Sequence, residues 1–333
     1  VPYVVKDGKD NWTGWIPYNK MPSWTNPEKG WVGTANHNTV FSDYPYYVST
    51  YFASYYRYAR MLELFGSKDK ISADDSWAFQ RDIKNKMAEK LAPVISRALL
   101  KQKDTKQMGE ILKSWDFFDR KDTAAPAVMQ AVYRNMAVNT FKDELGEELT
   151  GTFLDTWYFW QNRFEEMVLS GSSVWFDDRT TKKTERMEDI ILVSARQVLD
   201  EYGPDPEKYV WGDMHQKGFV SAIMREGALK YFIGEGPYPM DGSGETLYRA
   251  IYEFTSPYEV TVSAAMRMVV DFADNDRVLA VLSAGTSGRI FDPHFKDQAD
   301  AYMDGDKVYW WFSDKMINEH AENEYALEPL NNK

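Results

Sequence analysis

From about residue 55 the apolar side chains return every three or four positions, the repeat of a helix with one buried face. Ile83, Met87, Leu91, Val94 and Ala98 keep that interval. Ahead of them, Ser72 and Asp75 have the spacing of a capping box, which predicts a helix start. Pro93 falls inside the repeat, where its ring and missing N–H should end or kink the helix. A second helical block runs through Trp115, Val128, Val132, Met136 and Phe141. In a third, Ile190, Ile191, Ala195, Val198 and Leu199 lead to Gly203-Pro204, a usual helix stop.

The two ends read differently. Up to residue 54, Trp12, Trp15, Trp24 and Trp31 are separated by Pro17, Pro22 and Pro27, which predicts loops and short strands. After about 235 the period falls to two. Met266, Met268, Val270 and Phe272 alternate with Ala265, Arg267, Val269 and Asp271, and Asp274-Asn275-Asp276 then turns the chain into Val278, Ala280 and Leu282. That pattern predicts a hairpin with one face buried. No low-complexity linker divides the chain, so residues 1–333 read as one α+β unit: a loop and strand region over 1–54, a mainly helical region over 55–234 and a strand-rich region over 235–333.

Composition narrows the function more than the fold. Aromatic residues make up 15% of the 333, enough to demand a sizeable core or an apolar pocket. The net charge of -12 repels phosphate backbones and argues against nucleic acid as a partner. No apolar run reaches the roughly 18 residues of a membrane span, and the first residues lack the basic and apolar regions of a signal peptide. The chain has no cysteine, which removes disulfides and thiol nucleophiles and suits the periplasm or the extracellular space.

Residue spacing alone yields no complete catalytic set. His37, His215, His294 and His320 are far apart and form no metal-binding spacing. Gly242-Ser243-Gly244 reads as a turn rather than a phosphate cradle. Asp177 and Asp178 beside aromatics could serve a carbohydrate site, but adjacent strand residues point apart, and a polar loop end explains them as well.

The stretch Asn26-Pro27-Glu28-Lys29-Gly30-Trp31-Val32-Gly33-Thr34-Ala35-Asn36-His37-Asn38 resembles the N-P-x-x-G and T-A-N-N segment of the penicillin acylase (penicillin amidase) family. Asp43-Tyr44-Pro45 and Tyr56-Arg57-Tyr58-Ala59-Arg60 follow at that family's spacing. Trp115-Asp116, Trp175-Phe176-Asp177-Asp178 and Trp211-Gly212-Asp213 keep its order. Met266 to Asp271, Gly285 to Gly288 and Pro293 to Gln298 are similar to its closing signatures.

The resemblance implies the αββα layered fold of the N-terminal nucleophile hydrolases, with this chain as the C-terminal part of the larger subunit. It also implies hydrolysis of an N-acyl amide through an acyl-enzyme. Penicillin side chains, N-acyl homoserine lactones and lipopeptide acyl groups are the candidate substrates. In such enzymes an N-terminal Ser attacks, its own α-amine acts as base, and an oxyanion hole holds the tetrahedral intermediate. Residue 1 here is Val, so the Ser is expected from another processed chain of the same precursor. Asn36 matches the family's oxyanion Asn, and Arg57 matches an Arg that orients it, although an ion pair on a helix face would explain Arg57 equally.

No cofactor is implied for the chemistry. The family often holds a structural calcium, but Tyr51 stands where one Asp ligand is expected, with Asp43 as a substitute, which leaves that ion open. Tyr46, Tyr47, Tyr51, Phe52, Tyr55 and Tyr56 suit either an acyl pocket or a core helix face. Gly285 to Gly288 and Pro293 to Gln298 are assigned to structure, with His294 and Asp297 tying the loop down. Kinship further implies a periplasmic or secreted protein. A non-catalytic carbohydrate-binding or interaction protein and an inactive homologue are the rival readings.

Overall fold

The computed structural model describes residues 6–9, 14–40, 42–220, 234–274 and 276–329. Val1, Trp12 and Asn275, all weighed above, lie outside them. Helices fill the middle of the chain: α1 Tyr56–Phe65, α2 Ala73–Phe79, α3 Lys86–Leu99, α4 Lys106–Ser114, α5 Ala124–Leu145, α6 Glu147–Leu154, α7 Gln161–Ser170, α8 Met187–Tyr202 and α9 Trp211–Met214. The predicted capping box is present. Asp75 N–H donates to Ser72 Oγ at 3.0 Å, and Ser72 N–H to Asp75 Oδ2 at 3.1 Å.

α5 lies at the centre and packs against α4, α6 and α8. Ala127, Val128, Ala131, Val132, Met136 and Ala137 are all buried, so this helix is apolar around most of its circumference, as a helix surrounded by others must be. Leu91 and Ile95 of α3, Phe164 and Val168 of α7, and Ile191 and Val198 of α8 complete the core. Pro93 does not end α3, which continues to Leu99. The proline is exposed, and Glu89, whose carbonyl it leaves without an intrahelical partner, is only half-buried, so water can meet the vacated acceptor.

Among the described residues three separate antiparallel sheets follow: β1 Gln216–Phe219 with β2 Glu235–Pro239, β3 Ala250–Ile251 with β4 Val262–Ser263, and β5 Met266–Val269 with β6 Arg277–Leu282 and β7 Val308–Trp311. Two short helices, Ala299–Asp304 and Asp314–His320, accompany the last sheet. Strand structure therefore starts at Gln216, ahead of the expected boundary at 235. Before residue 54 the described residues hold one 3-10 turn, Tyr18–Lys20, in place of the expected short strands. Pro17, Pro22 and Pro27 each lack the N–H a ladder needs.

The predicted hairpin forms, with Met268 opposite Ala280 and Val269 opposite Leu279, and the buried face of its first strand is the one that carries Arg267. Arg267 points inward at 3% exposure, while Met266, Met268 and Phe272 point out. Arg267 is stabilised inside by the rings of Tyr302 and Tyr248, 3.7 and 4.6 Å from its guanidinium carbon, and by donating to the Tyr302 carbonyl at 2.7 Å.

Candidate active site

The loop that carries the candidate oxyanion residue is shaped by its own backbone. Gly30 N–H donates to the Pro27 carbonyl at 2.9 Å and takes φ +79° to close a turn. Trp31 then stacks on Phe65 of α1, ring centroids 4.7 Å apart, and Ala35 is buried. Asn36 sits in the left-handed region at φ +64° and is exposed.

α1 brings Arg57 against this loop. Three attachments fix the helix: Tyr56 Oη donates to Glu165 Oε2 at 2.5 Å, Ser54 Oγ to Asn162 Oδ1 at 2.8 Å, and Arg60 clasps Asp82 through Nε and Nη2, both at 2.8 Å. Arg57 itself is buried, and its Nη2 donates to the Ala35 carbonyl at 2.7 Å and to Asn36 Oδ1 at 2.8 Å. A guanidinium has donors only, so the carboxamide atom that meets it must be oxygen. The two N–H groups of the Asn36 amide therefore face away from Arg57. They are polarised by the cation on the far side of the same amide, and no hydrogen bond to another described residue takes them up.

Charged groups are packed behind this pair. Arg249 donates to Tyr158 Oη at 2.9 Å and to the Gly244 carbonyl at 3.1 Å. Burial, and next the charge on Arg249, lower the Arg57 pKa, while Glu245 and Tyr158 act the other way. Burial pushes the Glu245 carboxyl up, against the pull of Arg249 and Arg57. Glu165 is raised to about 8, first by burial and then by Glu245. His37 follows Asn36 and stacks on Tyr58, centroids 3.9 Å apart. Burial, with the charges of Lys29 and Arg57, lowers its pKa, so its ring is neutral at pH 7.

A cleft of about 690 Å³ opens beside the loop, lined by Thr34 and His37 on either side of Asn36 in sequence and walled by Trp24, Val32, Val40 and Tyr55. Lys29 adds a cation at its edge, bonded to Tyr58 Oη at 2.6 Å and 4.1 Å from the Trp31 ring.

Of the six aromatics expected together, only Tyr55 lines this cleft. Tyr56 lies in the core, Tyr51 packs on Phe159 and Tyr158, Tyr46 meets Tyr44, and Tyr47 is exposed. Spacing gave no notice of Glu165, Glu245 or Arg249, although Gln161 and Glu165, one turn apart on the buried face of α7, hold the one local signal.

The other candidates resolve into structure. Asp177 accepts from Glu185 N–H and Asp178 from Thr180 N–H, both at 2.9 Å, which makes them loop ties. His294 Nδ1 and Asp297 Oδ2 are 2.8 Å apart, as expected of residues that hold their loop. Among the described residues no group of three or more His, Asp or Glu could hold a metal ion. Tyr51, at the position of the expected Asp ligand, packs on Phe159, and Asp43 is exposed.

A profile of the penicillin amidase family matches residues 1–319. The chain belongs to the penicillin amidase family. Within that family it is similar to the acyl-homoserine lactone acylase QuiP of Pseudomonas aeruginosa, 26% identical over 348 residues that take in 94% of this chain and 41% of that protein. It is also similar to the penicillin acylase 2 proenzyme of Pseudomonas sp. strain SE83, 24% identical over 344 residues covering 99% of this chain and 42% of the relative. The chain thus spans about two fifths of the curated relatives it matches. Among solved structures, a thermostable penicillin G acylase from Alcaligenes faecalis superposes with a TM-score of 0.62 at 15% identity, covering 97% of this chain and 61% of that one. That likeness shows the α+β fold of the N-terminal nucleophile hydrolases. No described helix is long and apolar enough to cross a membrane.

Proposed function

We propose that this penicillin amidase-family chain supplies the oxyanion-stabilising wall of an N-acyl amide hydrolase. The nucleophile in this reading is an N-terminal Ser on another chain or segment of the same precursor, for which this chain would be the C-terminal part of the larger subunit. The observation that carries the proposal is the Arg57–Asn36 hydrogen bond at 2.8 Å, which fixes the orientation of the carboxamide. The relative's name "proenzyme" supports maturation from a precursor.

The chemistry runs in two stages. Ser Oγ bonds to the acyl carbon as its proton passes to the Ser α-amine, whose ordinary pKa of about 7.7–8.0 suits the task. The carbonyl π pair moves onto oxygen, and the Asn36 amide donates to that oxyanion. The oxyanion collapses, the C–N bond breaks, and the α-amine returns the proton to the leaving nitrogen. Water then repeats the addition on the ester, which releases the acid and restores Ser. None of these steps draws on a cofactor.

The apolar walls of the cleft suit an acyl chain, and the names of the relatives make N-acyl homoserine lactones and penicillins the first substrates to try. The absence of cysteine agrees with the periplasmic or secreted location that the family resemblance implies. The decisive experiment replaces Asn36 by Ala in the processed, assembled enzyme and follows release of the acyl group. A fall in kcat of about 10²–10³ is expected; unchanged turnover would remove Asn36 from the oxyanion role, and no turnover by the native assembly would leave an inactive or non-catalytic protein as the better reading.

A further inference from the structure

The cleft beside Asn36 carries one formal charge on its wall, and that charge is positive. The lining takes in Thr34, His37, Asn38, Thr39, Tyr58 and Lys29 and no Asp or Glu, in a chain that has 51 acidic residues against 39 basic ones.

Lys29 is fixed there without being neutralised. Its Nζ donates to Tyr58 Oη at 2.6 Å and lies 4.1 Å from the centroid of the Trp31 ring and 5.2 Å from that of Tyr58, all uncharged groups. Among the described residues it forms no ion pair. The rings that hold it are themselves anchored to α1 and the loop: Trp31 stacks on Phe65 with centroids 4.7 Å apart, and Tyr58 on His37 at 3.9 Å. Burial first, and then the charges of Lys29 and Arg57, lower the His37 pKa, so this wall stays neutral and lies in a positive field.

Because Tyr58 Oη accepts from the ammonium, its own proton is left to donate, and no described acceptor takes it. An ammonium N–H and a phenolic O–H on heavy atoms 2.6 Å apart match the two oxygens of one carboxylate. A ring face answers an ammonium more weakly than a carboxylate does, so an incoming carboxylate gains a partner without displacing another anion.

We propose that Lys29 and Tyr58 form a carboxylate subsite, and that the cleft takes N-acyl amides bearing a carboxylate in preference to uncharged ones. Of the two substrate types in the relatives' names, a penicillin carries such a group on its amine half, and an N-acyl homoserine lactone has none. This preference rests on the cleft being the substrate site of the proposed hydrolysis, whereas capture of the anion does not need Asn36 to act. Lys29 and Tyr58 select the substrate and take no part in the bond changes.

Matched pairs offered to the processed, assembled enzyme test this and locate the charge. A penicillin and its methyl ester vary it on the amine half; an adipoyl anilide and its methyl ester vary it at the far end of the acyl chain. In one pair the acid is expected to exceed its ester about tenfold in kcat/KM, and that pair names the half that carries the carboxylate. Lys29→Met keeps an apolar stem over Trp31 and should remove the preference by lowering the acid alone. Tyr58→Phe keeps the rings and loses the O–H, and should reduce it. Added salt should narrow it in the native enzyme. Equal kcat/KM for acid and ester in both pairs would overturn the proposal. So would a Lys29→Met loss that falls alike on acid and ester, the mark of a side chain that only braces Trp31 against α1. Calorimetric titration with the same compounds separates the subsite from the hydrolytic reading: acid-selective, Lys29-dependent binding by an assembly that cleaves neither pair would sink hydrolysis and leave the subsite standing, and hydrolysis without acid preference would do the reverse.

Discussion

Ala53 N–H donates to the Asn36 carbonyl at 2.9 Å, so the candidate oxyanion residue is held by its backbone independently of its side chain. Removing the amide should therefore leave the loop in place. Asn36→Gly, which tolerates φ +64° without strain, is expected to lower kcat by about 10²–10³ with an unchanged melting temperature. Equal losses in Asn36→Gly and Asn36→Ala would assign the effect to the donor rather than to the backbone. Single-turnover acyl release alongside thermal melting checks both.

Arg57→Lys keeps the charge but replaces the planar fork by a flexible ammonium. One donor nitrogen now serves both Ala35 and Asn36, and a lysine is not expected to hold that geometry. The expected result is a fall in kcat with KM nearly unchanged, since the interaction is felt in the transition state. Steady-state kinetics on the variant decides it.

Stability should bend with pH because two groups are buried in their neutral forms. Burial lowers His215 from 6.5 to about 3, and its ring lies on Trp211 with Nδ1 2.8 Å from the Tyr258 carbonyl. Below pH 6.5 the unfolded chain binds a proton that the folded chain refuses. This contribution is therefore complete above about 6.5 and is lost on acidification at up to about 1.4 kcal/mol per pH unit. Asp119 is raised from 3.8 to about 7 by burial, so its contribution is complete below about 3.8 and is lost progressively as the pH rises from there to about 7. Denaturant titrations are expected to show a shallower rise of stability with pH between about 3 and 6.5 in His215→Gln, and a steeper rise between about 4 and 7 in Asp119→Asn, because the two groups act in opposite directions over that range.

Gly242 takes φ +85°, and a Cβ there would lie 2.3 Å from the Tyr248 carbonyl oxygen. Gly242→Ala should destabilise the fold by about 1–3 kcal/mol. Because the same turn carries Glu245, activity should fall with it. A denaturation midpoint shared with the native protein would contradict this account.

Trp24 walls the cleft beside Asn36 and is 44% exposed, so it has apolar surface left to give a ligand. Trp24→Ala is expected to raise KM about tenfold, or about 1.4 kcal/mol, for a medium-chain acyl amide while leaving kcat close to native. A panel that varies acyl length and amine separately shows which half of the substrate the wall contacts.

The helical middle was legible because helices such as α3 and α8 bury one stripe against their neighbours, and a stripe is a local pattern in the sequence. Asn36 and Arg57 were legible only as parts of a family motif, for neither position has a periodicity of its own. The orientation of β5 was not legible, because alternation says that two faces differ without saying which faces in. A rule that buries the methionines cannot foresee a guanidinium sandwiched between Tyr302 and Tyr248. Glu165 and Glu245, separated by 80 positions in sequence, are each buried by tertiary packing that no local pattern announces.

The backbone at position 36 has already narrowed the choice of amino acid before chemistry is considered. Glycine, asparagine and aspartate accept a left-handed backbone readily. Glycine brings no side-chain donor, and aspartate would present a carboxylate where the proposed reaction gathers negative charge. Shape and reactivity thus intersect on a single letter of the alphabet, and a random change there breaks one of the two demands.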